Sequence, residues 1–345
     1  MKSRLATKIE FGTRAGRSPA PGRAGLTNEA VYGYPRDFLD NQFVYVVISP
    51  RARGLAVGVN VNPQGPCNLR CAYCEVRGST QTADVEFDVD RMAMELGQTL
   101  ELAQGGWLHQ WPRYARLSPE LLQVRHVALS GDGEPTLAPH FVDTTRAVVQ
   151  LRHQGRSFKT VLMTNSTALD RPQAREGIAL LQPTDEVWVK FEAGTQAYLN
   201  RISGATVSLD RIADNILLVA RERPVVVQSL FPAIDGEEPA AAEIRAYAER
   251  LKELKDAGAQ ISLVQIYSAT RPMATSGCGH LPLRALSEIA QTVRRISGLH
   301  AEVFWVAPHS APGCRGGEIT PLSLPLNRVV FTALWPAVAD NIRFI

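Results

Sequence analysis

Six times in succession a short apolar run is followed by a segment with helical periodicity, and this alternation limits the fold more than any other feature of the chain. The runs lie at residues 55–62, 126–130, 160–165, 186–192, 225–230 and 261–267. The helical segments lie at 88–104, 141–153, after Arg171, and at 209–221, 240–257 and 283–296. Runs this short, with few charges, suit strands buried on both faces. Repeated strand–helix units imply a parallel sheet with right-handed crossovers. A doubly wound sheet and a barrel both satisfy the pattern, and a barrel collects its chemistry in the loops after the strands. Asp88 or Asp90 is placed to cap the first helix. Residues 41–50 read as a β-rich lead-in, and 301–306 offer a seventh strand.

Cysteine usage narrows the chemistry. The chain has five cysteines: Cys67, Cys71, Cys74, Cys278 and Cys314. An odd number, with three in one short loop, is a poor disulfide framework and suits a reducing compartment where thiols serve metals. The loop reads Cys67-Asn68-Leu69-Arg70-Cys71-Ala72-Tyr73-Cys74 and follows the first strand. Three thiolates at this spacing can reach three corners of one iron–sulfur cube, which leaves the fourth iron open to a small molecule. A zinc site would instead recruit Cys278, Cys314 or a histidine, and Cys71 with Cys74 could form a redox pair. The triple spacing, with aromatic Tyr73 before the last cysteine, favours the cluster.

Polar groups recur at the ends of the other strands. After the second comes Ser130-Gly131-Asp132-Gly133-Glu134-Pro135-Thr136. Glycines there let the backbone approach a ligand, and a carboxylate can accept an ammonium group; the alternative is an ordinary glycine–proline turn. The third strand ends in Met163-Thr164-Asn165-Ser166. Lys190 and Glu192 share one face of the fourth. Buried opposite charges must pair or bind something, so this couple is either a ligand contact or a mutual ion pair. The fifth and sixth strands offer Gln228 with Ser229 and Gln265 with Tyr267.

The cysteine spacing resembles the signature of the radical SAM superfamily, and the likeness extends over the six βα units. It implies an α/β fold, a partial (β/α)6 TIM-like barrel of parallel strands, with N-terminal and C-terminal extensions. It implies an Fe–S oxidoreductase-like enzyme that cleaves S-adenosylmethionine at a [4Fe–4S] cluster to give a 5′-deoxyadenosyl radical for hydrogen abstraction. The 130–136 segment is similar to the family's Gly-Gly-Glu-Pro, with Asp132 replacing the first glycine. By that match Gly133 and Glu134 hold the amino group of the cosubstrate. Residues 164–166 are similar to the family's Thr-Asn-Gly, which makes Asn165 a polar contact. A flavodoxin- or ferredoxin-like electron donor is the implied partner.

The substrate is less constrained. The Ser-Gly-Asp-Gly-Glu-Pro-Thr segment resembles the wyosine-base synthetase branch of tRNA modification, but no cysteine precedes Cys67 to build that branch's second cluster. The lead-in and Asn60-Val61-Asn62-Pro63 look like an uncharacterised bacterial group. A tRNA-base modifying enzyme, a maturase of a partner protein and a non-catalytic metal-binding protein are the alternatives. Within residues 1–26, six basic residues face the single acid Glu10. This stretch reads as a solvated tail or as an arm for RNA. Cys278 and Cys314 read as loop cysteines without a role. The expected division is a basic arm at 1–40, a barrel core at 41–300 and a closing segment at 301–345. No apolar run is long enough to span a bilayer and no secretory core opens the chain, so a cytoplasmic location without a membrane partner is expected.

Overall fold

The computed structural model describes residues 38–63, 67–74, 86–111, 114–115, 117–153, 155–269 and 277–305. The expected elements are present. Strands β1 (Val44–Ser49), β2 (Gly54–Asn60), β3 (Val124–Ser130), β4 (Lys159–Thr164), β5 (Glu186–Lys190), β6 (Val225–Leu230), β8 (Ile261–Tyr267) and β10 (Ala301–Phe304) form one sheet in that order. The short pair β7 (Ala233–Ile234) and β9 (Cys278–Gly279) stands apart from it. Between the strands run helices α1 (Val89–Gln104), α2 (Phe141–His153), α3 (Pro172–Ala179), α4 (Gln196–Ser203), α5 (Leu209–Ala220), α6 (Ala241–Asp256) and α7 (Leu283–Ser297).

Every neighbouring pair from β2 to β10 is parallel, and only β1 is antiparallel, to β2. The strands follow chain order with no reversal, which excludes the doubly wound alternative and leaves the barrel. The sheet is curled enough for side chains from its two edges to touch. Arg53, in the β1–β2 hairpin, lies 2.7 Å from Glu302 of β10, and the Arg51 guanidinium stacks 4.1 Å above the Tyr267 ring. All seven residues of β2 and all six of β6 are buried, as strands covered on both faces must be.

Local chemistry explains the ends. Asp88 caps α1 by accepting from the Arg91 amide at 3.0 Å. Gly298 ends α7 in the left-handed conformation that glycine adopts without strain. Phe38, within the stretch expected to be an arm, is buried in the core with its ring 5.6 Å from Trp111. Residues 1–37 of the arm, Cys314, and the closing segment beyond 305 lie outside the described residues. Residues 301–304 of that segment complete the sheet as β10.

His126, at the start of β3, is 1% exposed and sits edge-on to Trp188 with centroids 5.3 Å apart. Burial, aided by Lys159 and Arg51, pulls its pKa down to about 3. The ring stays neutral in the fold where an unfolded histidine, with a pKa of about 6.5, takes up a proton. The native state therefore binds fewer protons than the unfolded state from about pH 6.5 down to about 3. Stability should fall with pH across that window. Urea unfolding of His126→Phe between pH 7 and pH 4 should show a shallower acid slope than the parent; equal slopes would mean that His126 does not contribute to it.

Candidate functional site

The cysteine loop leaves β2 and crosses the carboxyl ends of the next strands. Helix α4 holds it by backbone: Arg70 N donates to Ser203 O at 2.8 Å and Ala72 N to Ile202 O at 2.7 Å. Cys74 N closes a turn onto Cys71 O at 3.0 Å. From the other side, Asn68 Nδ2 donates to Thr167 Oγ1 at 2.8 Å, and Asn165 Nδ2 donates to Asn68 Oδ1 at 2.8 Å and to Cys67 Sγ at 3.6 Å.

The segment after β3 is equally fixed. A Cβ on Gly131 would lie 2.8 Å from Gly133 O, so only glycine fits there. Asp132 is locked to Asn60 by two hydrogen bonds, its amide to Oδ1 and its carboxylate from Nδ2, both 3.0 Å. Glu134 is 3% exposed, and its carboxylate faces the protein. Oε1 accepts from Thr164 Oγ1 at 2.6 Å, Thr136 Oγ1 at 2.7 Å and Thr136 N at 3.2 Å; Oε2 accepts from Asn165 N at 2.6 Å. Burial pushes this carboxyl above its usual range despite those donors. Glu134 thus clamps the loop after β3 to the end of β4. Ser166, where the family pattern has glycine, takes a left-handed φ of 67°. Its amide is satisfied by Thr164 Oγ1 at 3.0 Å.

Lys190 and Glu192 form the mutual ion pair, one of the two alternatives foreseen for them. Their charged atoms are 4.0 Å apart, and the Tyr73 hydroxyl donates to Glu192 Oε2. The Lys190 ammonium lies 5.0 Å above the Tyr73 ring and still lines the cavity. Burial alone would lower its pKa, but Glu192, Tyr267, Cys71 and Cys74 together hold it above the ordinary lysine range. Gln228 lines the same cavity and is oriented by Gln265, whose Oε1 accepts from its Nε2 at 3.0 Å.

Cys67, Cys71 and Cys74 share one cavity of about 290 Å³ with Asn60, Ser130 to Pro135, Asn165, Lys190 and Gln228. Gly133, Glu134 and Asn165 are therefore brought to the cysteines, whereas Glu192 and Gln265 stand behind Tyr73 and Gln228. Burial pushes the Cys71 thiol up to about 12, against the pull of Lys190. Such a thiol is a poor redox nucleophile. A bound cation, which displaces the proton, suits it better. Among the described residues no three His, Cys, Asp or Glu side chains converge where a single ion could sit. A lone zinc needs its ligands within about 2.3 Å. An iron–sulfur cube instead places its thiolates on separate irons. The N–H···S bond from Asn165 is the kind of contact that tunes a cluster.

Sequence reasoning missed several participants. Tyr45, whose hydroxyl is 2.8 Å from Ser130 Oγ, and Arg51 line the cavity from the β1–β2 hairpin. Cys278, in β9, packs against the same Tyr73–Leu230–Tyr267 cluster as Cys71. Burial raises its thiol to about 11.

The family model for the radical SAM superfamily matches residues 61–248, more than half of the chain. No curated protein matches the chain in sequence. Among solved structures, the fold is similar to that of SuiB from Streptococcus suis bound to its precursor peptide SuiA. The identity is 15% and the TM-score 0.50, over 72% of this chain and 48% of that one. TYW1 with a lysine-pyruvate adduct matches at 15% identity and a TM-score of 0.48, over 74% of this chain and 84% of that one. The chain spans about half the length of the SuiB structures.

Proposed function

The chain belongs to the radical SAM superfamily, a family of enzymes that use a [4Fe–4S] cluster and S-adenosylmethionine, and from that footing we propose that Cys67, Cys71 and Cys74 hold the cluster and that the adjoining cavity binds the cosubstrate. The observation that carries this reading is the shared cavity, where the three thiols meet the polar ends of β3, β4, β5 and β6. Held there by Cys67, Cys71 and Cys74, the cluster would supply the single electron needed for reductive cleavage of S-adenosylmethionine and so for hydrogen abstraction from a substrate.

The chain's own residues position and shield. Gly131 and Gly133 let backbone carbonyls approach the methionine amino group, while Glu134 fixes their loop rather than spending its carboxylate on the ligand. Asn165 holds Cys67 and the cysteine loop in register. Lys190, next to Cys71 and Cys74, is the cation placed for the methionine carboxylate, with Glu192 holding Lys190 through Tyr73. Gln228, braced by Gln265, presents its amide to the rest of the cosubstrate. Leu69, Met163 and Leu230 give the wall an apolar part that excludes water. A flavodoxin- or ferredoxin-like donor supplies the electron. The proposed division of the chain is an arm at 1–40, a barrel core at 41–300 and a closing segment at 301–345. Among the described residues no helix is long and apolar enough to cross a membrane.

The test is direct. Protein purified without oxygen, reconstituted with iron and sulfide and reduced with dithionite should convert S-adenosylmethionine to 5′-deoxyadenosine and methionine. Absence of 5′-deoxyadenosine from a preparation with full iron content would sink the proposal.

A further inference from the structure

Arg51 lies outside the segment matched by the family model, on the hairpin between β1 and β2. Its side chain nevertheless lines the cavity that holds the three cysteines. The guanidinium stacks on Tyr267, 4.1 Å from the ring centroid, which leaves the edges of its fork for hydrogen bonding. Its Nε is buried without a hydrogen-bond partner, and among the described residues no carboxylate pairs with the group. Arg152 and Arg223 also bury an Nε without a partner, but their terminal nitrogens are engaged, Arg223 by the Gln182 and Asp185 carbonyls. Arg152 is bidentate to Asp185 at 2.6 and 2.9 Å, and Arg91 is paired with Glu95 at 3.1 Å. Glu192, buried behind Tyr73, is already taken by Tyr73, Lys190 and the Leu230 amide, and Glu134 in the cavity wall by Thr136, Thr164 and Asn165. A partly buried cation with an unmet donor is costly unless an anion completes it.

Two anions could do so, the carboxylate of S-adenosylmethionine or a group on the substrate. Lys190 stands beside the cysteines and answers the first. Arg51 enters the cavity from the β1–β2 hairpin, stacked on Tyr267. We propose that Arg51 is a specificity-determining residue that binds an anionic oxyacid group, carboxylate or phosphate, carried by the substrate. The inference rests on the radical SAM reading for the word substrate, but the anion site itself is measurable without turnover.

The experiment is calorimetric titration of the reconstituted, S-adenosylmethionine-saturated protein with inorganic phosphate in one arm and succinate in the other. At least one should bind with a stoichiometry of one, and the arm that does identifies the group. Arg51→Met should weaken that binding on the order of ten- to a hundredfold. Arg51→Lys, which keeps the stem on Tyr267 and the charge but loses the fork, should fall between them and guards against misfolding of the first variant. Lys190→Met should retain anion binding. Failure of both anions to bind, full binding by Arg51→Met, or loss of binding on saturation with S-adenosylmethionine would each overturn the proposal. Anion binding without any 5′-deoxyadenosine formation would instead overturn the proposed function and leave the anion site standing.

Discussion

Cys71→Ala should yield a folded protein that cannot retain its iron–sulfur absorbance and releases 5′-deoxyadenosine at a rate reduced by at least about a thousandfold. On the proposed reading the cube takes three thiolates from one loop, and the loop offers no spare. Cys278 is the only other described cysteine, and it packs on the same aromatic cluster as Cys71. Cys278→Ala is therefore the matched control: it removes a neighbouring half-buried thiol of similar environment and should leave iron content unchanged. Far-UV circular dichroism separates ligand loss from unfolding, since one buried sulfur contributes little to a core of this size. If Cys71→Ala keeps its iron while Cys278→Ala loses it, Cys71 is not a ligand and Cys278 is.

Gly194→Ala should be among the most damaging single-methyl additions in the chain. The added Cβ would fall 2.1 Å from Tyr247 N and 2.5 Å from the Ala246 carbonyl carbon, both backbone atoms of α6. Neither can step aside as a side chain would. The same spot is fastened by Glu243, which accepts from Gly194 N at 2.5 Å, Thr195 N at 3.2 Å and Thr195 Oγ1 at 2.6 Å. Separating α6 from this turn would break that clamp as well. A loss of about 3–5 kcal/mol is expected, above the usual cost of overpacking. That corresponds to a fall in Tm of roughly 10 °C for a domain of this size. Because α4 starts at this turn and its last residues anchor the cysteine loop, iron content should drop with stability. Gly97→Ala is the contrast. Inside helix α1, its Cβ would meet the Arg156 guanidinium at 3.4 Å, the end of a long side chain that donates to Gly97 O at 2.6 Å and can shift by a few tenths of an ångström. There alanine should stabilise by about 0.5–1 kcal/mol. Thermal denaturation of the two variants should move in opposite directions, and a Gly194→Ala protein that melts with the parent would contradict the packing described.

Much of the fold was legible because buried parallel strands leave a simple trace. The runs at β3, β4, β6 and β8 fall within a residue or two of their observed ends, since each has an apolar centre bounded by polar turns. Helix α4 was not read, although Thr195 caps it and Gly204 ends it with a φ of 53°. At eight residues it is too short for periodicity to speak. The site was half legible. The cysteine spacing placed three thiols on one loop, and Gly131 to Glu134 could be placed at the mouth. Sequence could not tell that Glu134 and Asn165 spend their polar atoms on Thr136, Thr164, Thr167 and Asn68, because that is decided largely by loops 30 to 100 positions apart in the chain. Arg51 gave no signal at all. A lone arginine in a hairpin is ordinarily solvated, and only the curl of the sheet carries it indoors.

That curl is fastened by a latch rather than a ladder. Where the first and last strands approach, the joint consists of the Arg53–Glu302 pair, with side chains 56% and 30% exposed, and the Arg51–Tyr267 stack. An exposed ion pair is worth about 0–1 kcal/mol and a cation–π contact about as much again. Parting this joint costs no backbone hydrogen bond of the sheet, whereas parting any other two strands breaks several. Among the described residues the two edges of the sheet are therefore joined by side chains alone, at the seam beside Arg51.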